Sequence, residues 1–137
     1  MDAKTVFPSA EWMQLTKDKF NTDEKYAQIA KNWEGDLRVI LEPDASLKET
    51  IWLYWDLWHG KCRDAYVEDQ SSAKTPALII MAPYSNFIKV LSGKVGVMQA
   101  LMGRMVSVKG SMILIMRNVP TVIDFVRCCQ EVTSTWI

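Results

Sequence analysis

The sequence predicts an α+β fold in which helices cover one face of a sheet. Three observations carry that reading. Period-two alternation is concentrated in the middle of the chain. Stripes of helical spacing flank it on both sides. The strands come as one run of four with a fifth standing apart, a grouping that suits segregated layers. The expected order is two helices, a four-strand meander, two short helices, one strand, then closing helices.

Local chemistry justifies each element in turn. Residues 1–8 read as an arm. Ser9 is a good N-cap with Glu11 in the first turn, and Trp12, Met13, Leu15 and Phe20 make an imperfect stripe to about Phe20. Asn21 breaks that helix. Thr22 caps the next, and Asp23 and Glu24 suit its positive end. Tyr26, Ile29, Ala30 and Trp33 form its apolar face before Gly35 ends it. Leu37, Val39 and Leu41 alternate with Arg38 and Glu42 as a half-buried strand, and residues 43–46 turn the chain. Residues 49–58 form a second strand. One face carries Ile51, Leu53, Trp55 and Leu57, the other Trp52, Tyr54, Asp56 and Trp58. His59, Gly60 and Lys61 make a tight hairpin turn into a third strand over about residues 62–67. A polar loop over residues 68–75 leads to the apolar run 77–82, read as a central strand.

The second half is glycine-punctuated. Pro83 opens a helix on which Phe87, Val90 and Leu91 share a face, and Gly93 stops it. Residues 95–102 form a short helix ended by Gly103, and residues 105–109 alternate as the last strand. Ser111 caps a short apolar helix over residues 112–117. Pro120 suits the first turn of a final helix with the stripe Val119, Val122, Ile123, Val126, Cys129 and Val132.

At 137 residues the chain is expected to form one domain over 1–137. Sixteen basic residues balance sixteen acidic ones, which gives no basic bias toward nucleic acid. Cysteines number three, two of them adjacent, and are read as reduced thiols in a cytoplasmic setting. The first residues lack a signal-peptide core, no run approaches the ~18 apolar residues of a membrane span, and residues 134–137 are not a peroxisomal address.

Candidate sites for chemistry are few. His59, the lone histidine, stands in a hairpin turn with no nucleophile at elbow spacing, and His59 with Cys62 offers only half a metal set. The Gly93-Lys94 and Gly60-Lys61 pairs lack the remaining phosphate-loop residues. Asp56 reads as a charge that keeps an outer sheet face soluble, and Cys128 and Cys129 as structural. No catalytic residue, metal or cofactor is expected. The aromatics Trp52, Tyr54 and Trp58 do need cover, from a loop, a ligand or a second subunit.

The stretch from Pro83 to Arg117 holds five of the eight methionines. Methionine adapts to irregular apolar shapes, and short helices broken by glycine can part over a sheet to leave an apolar cavity. Residues 49–117 resemble the sterol carrier protein type 2 family. The resemblance rests on the tryptophan-containing hairpin from Trp52 to Lys61, the strand and helix from Ile79 to Phe87, Leu91-Ser92-Gly93-Lys94, and the run from Ala100 to Met112. Ser111 stands where that family often has Asn or Asp, and the closing helix is longer than in its short eukaryotic members. The resemblance implies a five-stranded, mainly antiparallel sheet with helices on one face and an apolar cavity between them. It implies non-enzymatic binding, and transfer, of a fatty acid, fatty acyl ester, phospholipid or terpenoid, with transient membrane contact. The expected wall is Phe87, Leu91, Met98, Leu101, Met102, Met105, Met112, Ile115 and Met116, with Ile123 and Val126 as lid. The alternative is an interaction module, a homodimer built on the aromatic strand face with a vestigial cavity.

Overall fold

The computed structural model describes residues 3–137. In chain order the elements are β1 (Thr5–Phe7), α1 (Ala10–Thr22), α2 (Glu24–Ile29), β2 (Leu37–Glu42), β3 (Ile51–Trp58), β4 (Lys61–Glu68), β5 (Leu78–Pro83), α3 (Tyr84–Leu91), α4 (Val97–Met102), β6 (Ser107–Gly110), α5 (Met112–Arg117), α6 (Val119–Glu131) and β7 (Thr133–Trp136). The main sheet has five strands in the order β4-β3-β2-β5-β6, and helices cover its inner face.

The expected meander extends only through β2, β3 and β4. β5 does not pair with β4. It lies parallel to β2, with Leu37 opposite Leu78 and Val39 opposite Ile80, while the other three pairings are antiparallel. The sheet is therefore mixed, though mainly antiparallel. Alternation assigns a residue to a face and is silent on which strand lies alongside. The arm expected over residues 1–8 is another correction. Residues 1 and 2 lie outside the described residues, but β1 pairs in parallel with β7, Val6 opposite Thr135 and Phe7 opposite Trp136.

Several local signals act as their chemistry requires. Ser9 and Ser111 accept hydrogen bonds from the Trp12 and Leu114 amides at 3.0 and 3.2 Å. The turn residues His59 and Gly60 both have positive φ, 49° and 77°, the mirror-image turn that a two-residue hairpin favours. Gly60 is also obligatory for space, since a Cβ there would lie 2.7 Å from the Ala27 carbonyl oxygen. The break between the first two helices falls one residue later than expected. Asp23, not Thr22, caps α2 by accepting from the Tyr26 amide at 2.9 Å. Asn21 stays in α1 and reaches the edge strand β4. It donates to the Cys62 carbonyl and accepts from the Cys62 amide, both at 2.8 Å. Gln14 donates to the Ala65 carbonyl at 2.8 Å. Helix α1 thus occupies backbone groups that an edge strand would leave free.

On the outer sheet face cations of the same chain lie over the aromatics, though Trp58 stays 40 % exposed. The Arg38 guanidinium lies 4.3 Å from the Trp52 ring centre, Arg63 lies 5.0 Å from Trp58, and the Lys74 ammonium 5.3 Å from Tyr54. Asp56 pairs with Arg63 at 2.9 Å, in keeping with a charge on an outer face. Residues 69–77 cross this face on their way from β4 to β5. They are tied down where Arg38 donates to the Lys74 carbonyl and the Ala77 amide to Asp36. Beneath them Arg38 forks onto Glu68 through two hydrogen bonds of 2.7 and 2.8 Å, with both side chains almost fully buried. That contact holds the Glu68 carboxyl below its usual range.

Removing one partner of such a pair strands a buried charge. Arg38→Met is expected to lower the unfolding free energy by about 3 kcal/mol at neutral pH, read from urea denaturation. Because the folded-state pKa of Glu68 is depressed, its contribution is complete above the ordinary glutamate value and is lost as pH falls. The deficit of the variant should therefore shrink in acid. Arg38→Met with Glu68→Leu should recover most of the loss at every pH.

Candidate functional site

Between the inner sheet face and the helices lies a cavity of about 140 Å³. Its floor comes from alternate strand residues, Leu37 and Val39 on β2, Leu53, Trp55 and Leu57 on β3, and Leu78 and Ile80 on β5. These are the residues that the pleat turns to one face. Its roof comes from Phe87, Val90 and Leu91 on α3, Val97, Ala100 and Leu101 on α4, and Ile115 on α5. Helix α6 closes one side with Val122, Phe125, Val126 and Cys129. Trp12, Tyr26 and Trp33 complete the wall from the first helices and the turn after them.

Among the described residues, no carboxylate, lysine, arginine or histidine lines this cavity. The indole nitrogens of its three tryptophans are engaged elsewhere. Trp12 donates its indole N–H to Thr133 at 2.8 Å, Trp33 to the Gly35 carbonyl at 2.8 Å, and Trp55 to Thr16 at 2.9 Å. Thr121 donates to the Ile29 carbonyl at 3.2 Å. Burial pushes the Tyr26 phenol and the Cys129 thiol well above their ordinary values, so both stay neutral. What remains facing inward is overwhelmingly hydrocarbon.

A second hollow, of about 390 Å³, opens to solvent against the same wall. Val90, Val97 and Val126 belong to both, so these three side chains stand between the cavity and the outside. The outer hollow also takes in Met98, Gln99, Ile123, Arg127 and Gln130. Arg127 is held in place by Asp124, Asp23 and Glu131, at 2.7, 2.7 and 2.8 Å. Its guanidinium keeps Asp23 well below the usual carboxylate range. Asp23, Asp124 and Cys128 come close enough together to suggest a metal site, but Arg127 already neutralises both carboxylates.

Of the eleven residues expected to enclose a ligand, the cavity wall takes in Phe87, Leu91, Leu101, Ile115 and Val126. Six stand elsewhere. Met98 and Ile123 line the outer hollow. Met102, Met105, Met112 and Met116 line neither, and Met102, Met112 and Met116 are exposed, Met102 by 64 %. For Met98, Met102, Met112 and Met116 the physical reason is that α4 and α5 are six-residue helices with apolar residues on most sides. Hydrophobicity alone gives such helices no inward face. The residues missed include the whole floor, whose alternation marked them as buried without distinguishing core from cavity, Val90, Val97, Ala100, Val122, Phe125 and Cys129 on the covering helices, and Trp12, Tyr26 and Trp33.

The other groups singled out in the sequence stand apart from the cavity. His59 is exposed, paired with Glu34 and stacked on Trp58. Burial raises the Cys62 and Cys128 thiols to about 12. Wild-type protein at neutral pH is expected to give no reaction with a charged disulfide reagent within minutes. All three thiols should react once urea unfolds the chain, and fast labelling of the folded form would contradict this placement.

The description "SCP-2 sterol transfer family" matches over residues 11–122. No curated protein matches the chain in sequence. Among solved structures, the chain is similar to a crystal structure of sterol carrier protein 2, with 27% identity and a TM-score of 0.82 over 91% of this chain and 98% of that one. It is similar to the solution structure of a conserved hypothetical protein from Thermus thermophilus, with 25% identity and a TM-score of 0.81 over 98% and 96%. Sterol carrier protein 2 from Yarrowia lipolytica in its apo form shares the fold at 16% identity, with a TM-score of 0.61 over 96% and 99%.

Proposed function

The chain belongs to the SCP-2 sterol transfer family, and from that premise we propose that it binds the apolar part of a lipid in the cavity beneath α3, α4 and α6 and hands it on unchanged. The observation that carries the proposal is the wall itself, lined by strand and helix hydrocarbon with no charged group among the described residues. A site of that composition recognises by desolvation, worth roughly 0.8 kcal/mol per buried methylene. It discriminates poorly between chains that differ by one methylene. Fatty acids, fatty acyl esters, phospholipids and flat terpenoids all satisfy it.

The volume adds a constraint. A cavity of roughly 150 Å³ accommodates a molecule the size of benzene, and this one is of that order at about 140 Å³. A long chain or a ring system therefore enters only as the roof moves outward. The outer hollow behind Val90, Val97 and Val126 supplies the space, and Gln99 at its rim suits a polar head group. Among the described residues the wall carries no carboxylate, histidine, lysine or arginine to act on an ester or a hydroxyl, which favours carriage over chemistry. The second reading, an oligomerisation module through the outer sheet face, is weakened where Arg38 and Lys74 lie over Trp52 and Tyr54, while Trp58 stays 40 % exposed.

Ala100 is buried in the roof and lines the cavity. Ala100→Phe puts a ring into that space. It is expected to weaken binding of a fluorescent fatty-acyl probe at least about tenfold, with unfolding free energy shifted by no more than ~1–3 kcal/mol. Met112→Ala should leave probe affinity unchanged. Native mass spectrometry of gently purified protein should show lipid adducts. Absence of adducts together with no probe binding by the wild type would overturn the carrier reading.

A further inference from the structure

The two edges of the main sheet are not alike. At β4, helix α1 bonds the strand's backbone through Gln14 and Asn21. At β6, β5 is the one neighbouring strand, and among the described residues no side chain bonds the β6 backbone. In an antiparallel pair, alternate residues of each strand turn their N–H and C=O groups away from the partner. β6 therefore presents backbone donors and acceptors to the outside, and Ser107, Lys109 and Gly110 are exposed. Such an edge is a template for one more strand.

Register and charge say what that strand is. Val108 lies opposite Ile80, which lines the cavity, so Val108 is on the inner face of the sheet, and it is half-buried there. Ser107 and Lys109 lie opposite Met81 and Ile79 on the outer face. An added strand sets every second side chain beside Val108 and the others beside Lys109. The first set meets hydrocarbon and the second a cation. Lys109, Arg104 just before the strand and Arg117 at the end of α5 are all exposed, and none makes an ion pair among the described residues. Residues 70–123 contain six lysines and arginines and no aspartate or glutamate, although the whole chain is neutral. Asp36 reaches the start of β5, but it already accepts from Tyr54 and the Ala77 amide. A second copy is the poorer occupant. β6 against β6 brings two Lys109 side chains and two acid-free stretches together, and a lysine on a short edge is a device that sheets use against self-pairing.

We propose that β6 is a docking edge for an extended segment of a partner protein in which apolar residues alternate with aspartate or glutamate. The segment adds a strand to the sheet beyond β6. Backbone hydrogen bonds supply the affinity, and carboxylates beside Lys109 supply the specificity. β6 contributes no residue to the cavity wall, so this docking does not rest on the carrier reading.

The test is fluorescence anisotropy of a short labelled synthetic peptide alternating valine and glutamate, titrated with the full chain, beside a peptide in which lysine replaces glutamate. The expected result is saturable binding of the glutamate peptide and none of the lysine one. The glutamate peptide N-methylated at every residue keeps the side chains without the backbone donors, and it should not bind. Amide hydrogen exchange at residues 107–110 should slow when the glutamate peptide is present, while β4 exchanges as before. Lys109→Glu should weaken binding of the glutamate peptide about fivefold, since a favourable cross-strand pair becomes a like-charge one. That variant should keep the wild-type urea midpoint, which shows that it folds without recourse to any lipid. Absence of glutamate-peptide binding, equal binding of the lysine or N-methylated peptide, undiminished binding by Lys109→Glu, or unchanged exchange at residues 107–110 would overturn the proposal. So would a wild-type dimer in sedimentation that protects the same amides without peptide, since a second copy would then be the occupant.

Discussion

The one parallel pairing of the main sheet, β2 beside β5, dictates where the rest of the chain must go. Because β5 joins the sheet on the far side of β2, the chain leaving β4 has to cross the sheet before it can pair. It crosses on the outer face, over Trp52 and Tyr54, and the buried Arg38–Glu68 fork lies beneath it. The same placement makes β6 an edge strand at the opposite end from β4 and returns α3 to α6 across the inner face. All helical cover is thereby committed to one side. The outer side is left to cations stacked on aromatics, an arrangement that buries ring faces without a second layer of structure.

The inner side shows why the helices there are short. A long amphipathic helix laid on a sheet fills the space between them to crystal-like density. α3, α4 and α5 span only eight, six and six residues. Each offers a few side chains to the interior, and the space between them and the floor is not filled. Such a cavity persists only if its lining makes no unmet polar demand, since an orphaned donor costs ~1–3 kcal/mol. The tryptophans of the wall meet that condition by turning their N–H groups to Thr133, Gly35 and Thr16. Among the described residues no buried side-chain nitrogen or oxygen is left without a partner.

Where sequence reading succeeded, the signal was local. Ser9 and Ser111 cap helices, His59 and Gly60 turn a hairpin, and Pro120 sits in the first turn of α6 because each residue's own chemistry favours that conformation. The partner of β5 was not legible, because a fully apolar run fits any central position and its neighbour is fixed by the whole topology. The β1–β7 pair was missed for the same reason at smaller scale, two segments of three and four residues at opposite ends of the chain. Five of the eleven expected residues, Phe87, Leu91, Leu101, Ile115 and Val126, line the cavity. The expected methionines do not. Their composition says that a surface must adapt, and it does not say whether that surface is inside or outside.

That ambiguity is itself informative about the roof. A residue that tolerates irregular contacts serves equally in a cavity wall or against a disordered acyl layer. In α5 the sequence Met-Ile-Leu-Ile-Met sends Ile115 inward and Ile113 and Met116 outward, so one helical turn has apolar surfaces on both sides. In water such a turn is poorly anchored, because rotating it costs little hydrophobic burial on one side that is not regained on the other. A carrier gains from that indifference. A roof element with two apolar faces can leave the sheet and still be solvated by hydrocarbon, provided a bilayer is present, whereas a strictly amphipathic helix would have to bring its charged face with it.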